Sequence, residues 1–487
     1  MGQGPGQGPA SRAETEKVTR TDRFYLTMVS DAGRRNVLIA SVLGSSLAPF
    51  MVSGLVVALP AIGAEFSADA VSLGWLTNVF FLSAAVFLVP FGRIADMYGV
   101  KKVFVTGIGV YLVSSVLCVL SPGIRFLTAA RFVTGIGGGM IFGTSIALLS
   151  LAFPEAERGR AIGMNVTGMF VGFFLGFFLG GLLTFYVGWR SIFLLTIPFE
   201  LLAIGLIFLR IRGECEISRS RGLDIPGMVL YSLSILLLMT GFSSLPGVTG
   251  VAVVGAGIAC LVLFAARELR AGSPILDVRL FTENPTFARA NLAALLFNTS
   301  NFAVIFLLSL YLQDIRSFDA RFSGIVLLTL VIFMALLSTP AGRLSDRISP
   351  GMVIGTGVVL STAGLFILSF IGTDTPILSI VFALAVMGAG FAFFQSPLLR
   401  TLVSSVPKDM YGLASGMVET MRLAGMTISI AITTIVFTFF IGSLRITPAL
   451  SGEFIGTTQV IFRIFLGISL CAFLVTIFLK RRPAGQA

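Results

Sequence analysis

Four ionisable side chains lie inside runs of apolar sequence: Arg131, Glu200, Glu419 and Arg422. A charge at the centre of a membrane-spanning helix costs at least ~2.5 kcal/mol on insertion scales, so groups of this kind commonly mark ion or substrate pathways. Glu200 stands between Pro198 and further apolar residues, and a carboxyl in that setting can take up and release a proton. The alternative is a permanently protonated glutamate bonded to a neighbouring helix. Arg131 would bias such a carboxylate from a shared central chamber, or would bond carbonyls between helices. Glu419 and Arg422 are three residues apart, which puts them on one helix face where they can pair. That pair is either remade during a working cycle or static. The chain has no histidine, so proton chemistry falls to carboxylates, and neither a metal nor a cofactor is expected.

A second charged pattern joins the apolar runs instead of interrupting them. The stretch Gly92, Arg93, Asp96, Gly99, Lys101, Lys102 is too short to hold a soluble element. Its glycines let the backbone turn and approach a neighbour, and its lysines hold the next run at a membrane surface. A shorter echo, Gly342, Arg343, Asp346, Arg347, recurs far downstream and suggests two related half-molecules. Asp96 and Asp346 are expected to act as latches, each beside a helix N-terminus or a basic side chain. Such contacts would hold one state and release in the other.

These elements must be placed by membrane helices. Mean hydropathy is +0.97, and 12% of the 487 residues are charged, half the ~25% of soluble domains. The net charge of +11 is spread over short loops and builds no basic domain face, which argues against nucleic acid as a partner. Cys118, Cys215, Cys260 and Cys471 are scattered and make neither a CxxC pair nor a disulfide framework. The Gly/Gln/Pro-rich start, residues 1–11, is expected to be disordered, and a cleaved signal peptide is not expected.

A spanning helix needs about 20 apolar residues. Fourteen segments qualify: 36–60, 72–92, 103–121, 126–150, 161–187, 191–209, 226–243, 249–265, 290–312, 323–341, 352–371, 377–397, 413–441 and 458–479. Most of the 34 Lys and Arg residues fall in alternate loops, beginning with the N-terminal one. By the positive-inside rule that places both termini in the cytoplasm. Arg125, Arg190, Arg316, Arg321, Arg445 and Arg463 make up the smaller basic set of the opposite loops. The fold class expected is all-α integral membrane. It comprises a tail (1–35), a six-helix bundle (36–210), two inserted helices with cytoplasmic linkers (211–285), a second six-helix bundle (286–480) and a short tail (481–487).

On these motifs the chain resembles the major facilitator superfamily, and within it the fourteen-span branch of drug:proton antiporters. The loop signature matches Gly92, Asp96, Gly99, Lys101 and Lys102; the fourth-span signature matches Arg131, Gly135 and Gly137, with Thr134 where the family has Gln. The fifth-span signature is met by Gly163, Gly172, Gly176, Gly180 and Gly181, but Phe177 replaces its proline. Ala58-Leu59-Pro60, Tyr311-Leu312-Gln313, Leu280-Phe281 and Trp189 through Pro198 also fit. Two departures stand out. Met51 occupies the place of the branch's span-one acid, and Glu419 that of an Asn in span thirteen. Both imply that proton coupling, if present, rests on other residues than usual.

Gly172, Gly176 and Gly180 recur every four residues and predict close helix packing. That interface is expected to be the hinge on which two halves pivot. A cavity lined by Met164, Asn165, Met169, Asn291, Asn298, Asn301 and Gln395 would suit amphipathic or lipophilic solutes. The expected function is a monomeric plasma-membrane transporter using alternating access, exporting a small molecule in exchange for protons across the lipid bilayer. An organic-solute symporter or uniporter is the alternative within transport, and a non-transporting membrane sensor or scaffold the alternative outside it. An enzyme is not expected: neither a P-loop nor a Gly-x-Ser-x-Gly elbow occurs.

Overall fold

The computed structural model describes residues 31–210, 224–245, 247–271, 278–406, 411–442 and 450–479. Residues 1–30 of the expected tail 1–35, the tail 481–487 and most of the two linkers, 211–223 and 272–277, lie outside the described residues, while residues 31–35 already belong to the first helix. Among the described residues there are 14 helices long and apolar enough to cross a membrane, and no strands. The first eight spans are α1 (Asp31–Phe66), α2 (Ala70–Tyr98), α3 (Val100–Val119), α4 (Ile124–Ala152), α5 (Glu155–Tyr186), α6 (Arg190–Arg210), α7 (Ile225–Ser243) and α8 (Val248–Glu268). A short α9 (Arg279–Glu283) precedes a ninth span built from α10 (Pro285–Asn301), α11 (Ala303–Leu310) and a π-turn, Tyr311–Ile315. The last five are α12 (Ala320–Arg347), α13 (Pro350–Leu368), α14 (Ile377–Ser404), α15 (Tyr411–Phe440) and α16 (Ser451–Ile477). An even number of spans brings both ends of the helical body to one face, the terminus face; the opposite face is called distal.

Helix boundaries follow local chemistry. The side chains of Asp69, Asp224, Asn284, Asp319 and Ser349 accept from the backbone amides of Ser72, Gly227, Phe287, Phe322 and Met352, capping helix starts. The α2–α3 break is a single residue, Gly99, at φ 116°, a backbone state that glycine adopts without a Cβ clash. The amide of Arg321 takes part in the same distal turn as Asp319, whose carboxyl is held below its ordinary range by the Arg321 guanidinium and the Phe322 amide.

Helices α1–α6 pack on one another as one half, and α10–α16 as the other. The halves meet through α2 against α15 and α5 against α12, with α11 reaching α1. Inserted α7 lies against both α2 and α15, while α8 leans on α7. Proline explains the α7 contact. Pro90 has no amide to give the Val86 carbonyl one turn back, and Ser232 Oγ of α7 donates to it at 3.2 Å, beside a 3.0 Å bond from the Tyr231 hydroxyl to Ala85 O.

Candidate functional site

The N-terminal half buries a charged cluster. Arg131 on α4 is 1% exposed, and its guanidinium carbon lies 4.8 Å from the centre of the Phe80 ring of α2. Its Nε and Nη1 have no hydrogen-bond partner. Glycines make this depth possible: a Cβ at Gly135 would meet Ser83 Oγ at 1.8 Å and Phe80 O at 2.4 Å, and one at Gly137 would meet Gly107 O at 2.7 Å. Glycine at these two places therefore lets α4 press against α2 on one side and α3 on the other.

Glu200 on α6 is fully buried. Ser115 Oγ of α3 donates to its Oε1 at 2.9 Å, while Oε2 has no partner. Thr196 Oγ1, one turn earlier on α6, donates to Ser115 Oγ at 3.4 Å. Tyr111, one turn before Ser115, lies within electrostatic reach of both Arg131 and Glu200. Its hydroxyl donates to Met51 Sδ of α1 at 3.4 Å. Met51 thus faces the same cluster. An unpartnered carboxyl oxygen beside hydroxyl donors is an arrangement that can accept a proton.

The other ionisable pair is placed differently. Arg422 donates to Glu419 within α15, both side chains being partly exposed. Asp96 is half-buried at the end of α2 with Arg93 as its charged neighbour; the side chain of Asp346 lies outside the described residues. Lys101 and Lys102 open α3, where Lys102 Nζ donates to Tyr98 O at 3.4 Å. Gly92 packs beside Gly143 of α4, Gly342 faces Ser396, and Arg347 is exposed.

The glycine stripe is seated within one half. A Cβ at Gly172, Gly176 or Gly180 would strike Ser46 O, Phe50 O or the Gly54 Cα of α1 at 2.3–2.6 Å, so these three fix α5 on α1. Gly163 meets nothing within 4 Å. Of the expected hinge glycines, Gly181 is the one on the contact between the halves, where a Cβ would meet Ala320 O at 2.6 Å; Gly324 packs from the other side, where a Cβ would meet Phe177 O at 2.5 Å. Phe177, in place of the proline, is buried on this seam. A small apolar cavity lies there, walled by Val52, Val56, Phe173, Phe177, Phe302 and Phe306.

The amides divide between the halves. Asn165 accepts from Ser145 Oγ at 3.5 Å, and Ser145 pairs with Ser45 at 2.9 Å, tying α5, α4 and α1 together. Asn291, Asn298 and Asn301 are buried in the C-terminal half and donate back to carbonyls of their own helix. Asn301 also accepts from Ser361 of α13. These three serve helix packing in this conformation. Met164 is exposed, and Met169 and Gln395 are intermediate. Ser115, Thr196 and Tyr111 were not singled out in the sequence. Hydroxyls are common in membrane helices, and only the 85-residue separation closed by folding brings Ser115 to Glu200.

The model of the Major Facilitator Superfamily matches residues 41–430 and 290–487. The chain is 30% identical to the multidrug resistance protein Stp of Mycobacterium tuberculosis over 77% of its length and 71% of that protein's. It is 25% identical to the riboflavin transporter RibZ of Clostridioides difficile, over 83% of this chain and 87% of the relative. A bacterial homolog of the human lysosomal transporter Spinster shares the fold, with a TM-score of 0.66 at 18% identity, covering 93% of this chain and all of that one. Signature residues, two packed six-helix halves and these likenesses agree: the chain belongs to the Major Facilitator Superfamily of membrane transporters.

Proposed function

We propose that this transporter is a proton-coupled exporter of lipophilic or amphipathic compounds, with Glu200 as the proton-carrying group. One observation carries the reading: Glu200 is fully buried in the N-terminal half, with one carboxyl oxygen held by Ser115 and the other unpartnered. Unlike a neutral amide, a carboxyl buried with one oxygen free carries a large desolvation cost when ionised, and taking up a proton at that oxygen relieves it. Ser115 Oγ donates to the carboxyl, and entry of a proton at the free oxygen removes the charge of the ionised form. The change in local charge alters how tightly α3, α4 and α6 hold together, which is the differential interaction that a population shift requires. The export direction and broad substrate class draw support from the likeness to a multidrug resistance protein. The terminus face is read as cytoplasmic from the loop charges.

The test is flux in proteoliposomes. A thermal-shift screen of lipophilic dyes and amphiphilic antibiotics first finds a compound that stabilises the purified protein, since a ligand binding only the native state raises its stability. Glu200→Gln should abolish the response of that compound's flux to an imposed pH gradient while retaining the thermal shift. Unchanged pH-driven flux in Glu200→Gln would refute the assignment. A second reading, uptake or facilitated passage of an organic solute, draws on the likeness to a riboflavin transporter and on Met51 and Phe177. As a symporter it predicts flux driven by the opposite pH gradient, and as a uniporter flux indifferent to the gradient, in the unmodified protein.

A further inference from the structure

Pro60 interrupts the amide ladder near the distal end of α1. The carbonyl it leaves without a helical donor is that of Val56, four residues earlier. In a membrane, an orphaned carbonyl must find a donor elsewhere. Here the donor comes from the opposite half. Ser309 Oγ of α11 donates to Val56 O at 2.6 Å, and Gln313 Nε2 donates to the next carbonyl, Val57 O, at 2.9 Å. Gln313 Nε2 also reaches Ser309 Oγ at 3.2 Å, so the two side chains form one relay onto α1.

Gln313 is positioned by the π-turn, Tyr311–Ile315, and such turns commonly mark working parts of a helix. The turn is pinned from its far side. The Tyr311 hydroxyl donates to Gly372 O at 2.6 Å, and Arg316 Nη1 donates to Tyr311 Oη at 3.2 Å and to Thr375 O at 2.7 Å. The C-terminal half thus presents a rigid pair of donors to a proline-made gap in the N-terminal half. Ser309 is fully buried, and the seam cavity walled by Val56 and Phe306 lies beside it.

We infer that Ser309, docked on the Val56 carbonyl freed by Pro60, and Gln313, docked on the neighbouring Val57 carbonyl, form the latch that closes the distal side of the chamber. When the halves part at this face, both carbonyls pass to water entering the vestibule. The latch is therefore worth only the difference between a protein and a water hydrogen bond, small enough to be remade in every cycle. Proline supplies the acceptor permanently, without a charge that would have to be dehydrated each time. This rests on alternating access but not on Glu200 or on proton coupling.

The test measures distances by electron spin resonance in lipid nanodiscs, with no substrate and no pH gradient. The native cysteines are replaced, and spin labels are placed at Ala64 and Thr373 on the distal side, or at Tyr98 and Met352 on the terminus side. Ser309→Ala and Gln313→Leu should each raise the ratio of long to short distal distances about five- to tenfold, the worth of one net hydrogen bond. The terminus-side distance should shorten in the same samples, which separates opening from unfolding. Pro60→Ala restores an amide for Val56 O, so Ser309→Ala in that background should shift the ratio less than about twofold. An equal shift in both backgrounds would assign Ser309 to packing alone and overturn the latch. So would two wild-type distances that neither substitution moves. A single unchanging wild-type distance would overturn alternating access along with it, whereas loss of pH-driven flux in Glu200→Gln has no bearing on any of these results.

Discussion

The two halves share a helical plan but bury different chemistry. The N-terminal half encloses a guanidinium and a carboxyl, Arg131 and Glu200, the latter bonded by Ser115. The C-terminal half encloses neutral groups: Asn291, Asn298, Asn301 with Ser361, and Thr362 paired with Ser469 at 2.7 Å. Neutral amides can bond to their own helix at little cost, and all three asparagines do so. Charges cannot, and their burial must be offset by a partner or a function. On the function proposed above, the difference puts the energetics of coupling in the N-terminal half. To the C-terminal half it leaves the surfaces that the first half moves against.

The division can be broken or sharpened by substitution. The largest effect is expected in the N-terminal half. Met51→Asp places an acid on α1 against Tyr111, which itself lies within electrostatic reach of Arg131. In a Glu200→Gln background it should raise pH-gradient-driven flux at least about tenfold, because a carboxylate near an arginine gains that much in charged-state preference. Failure of this rescue in a folded double variant would mean that the position of the acid, and not merely its presence, decides coupling. A smaller effect is expected at the partly exposed pair on α15. Glu419→Gln should slow pH-driven flux about two- to fivefold, the span that an exposed ion pair supports, measured in the same vesicles. A complete loss there would move the coupling centre into the C-terminal half. The smallest effect is expected from Asn291→Leu. Its amide serves only its own turn and its Oδ1 has no partner, so denaturation in mild detergent should change by less than about 1 kcal/mol. Flux should keep its pH dependence.

Much of the architecture is legible in the sequence because the bilayer imposes length and hydropathy on every span. All fourteen segments become helices, and the charges at Arg131 and Glu200 stand out against the apolar runs that hold them. What could not be read is which helix each face meets. The spacing of Gly172, Gly176 and Gly180 announces close packing, yet nothing in it says that α1 is the partner while Gly181 meets α12. The asparagines have the composition of a cavity lining, but their side chains turn back onto their own backbone. Pro60 and Gln313 are visible as family-like residues. Their partnership depends on a π-turn, a shift of one residue in helical phase that side-chain periodicity does not encode.

The central claim is that a proton enters and leaves the N-terminal half at Glu200. It is tested most directly by adding the screened compound to purified protein in weakly buffered solution and recording the change in free protons. The unmodified protein should release protons as the compound binds, and Glu200→Gln should bind it and release none. Equal proton release from both proteins would contradict the account.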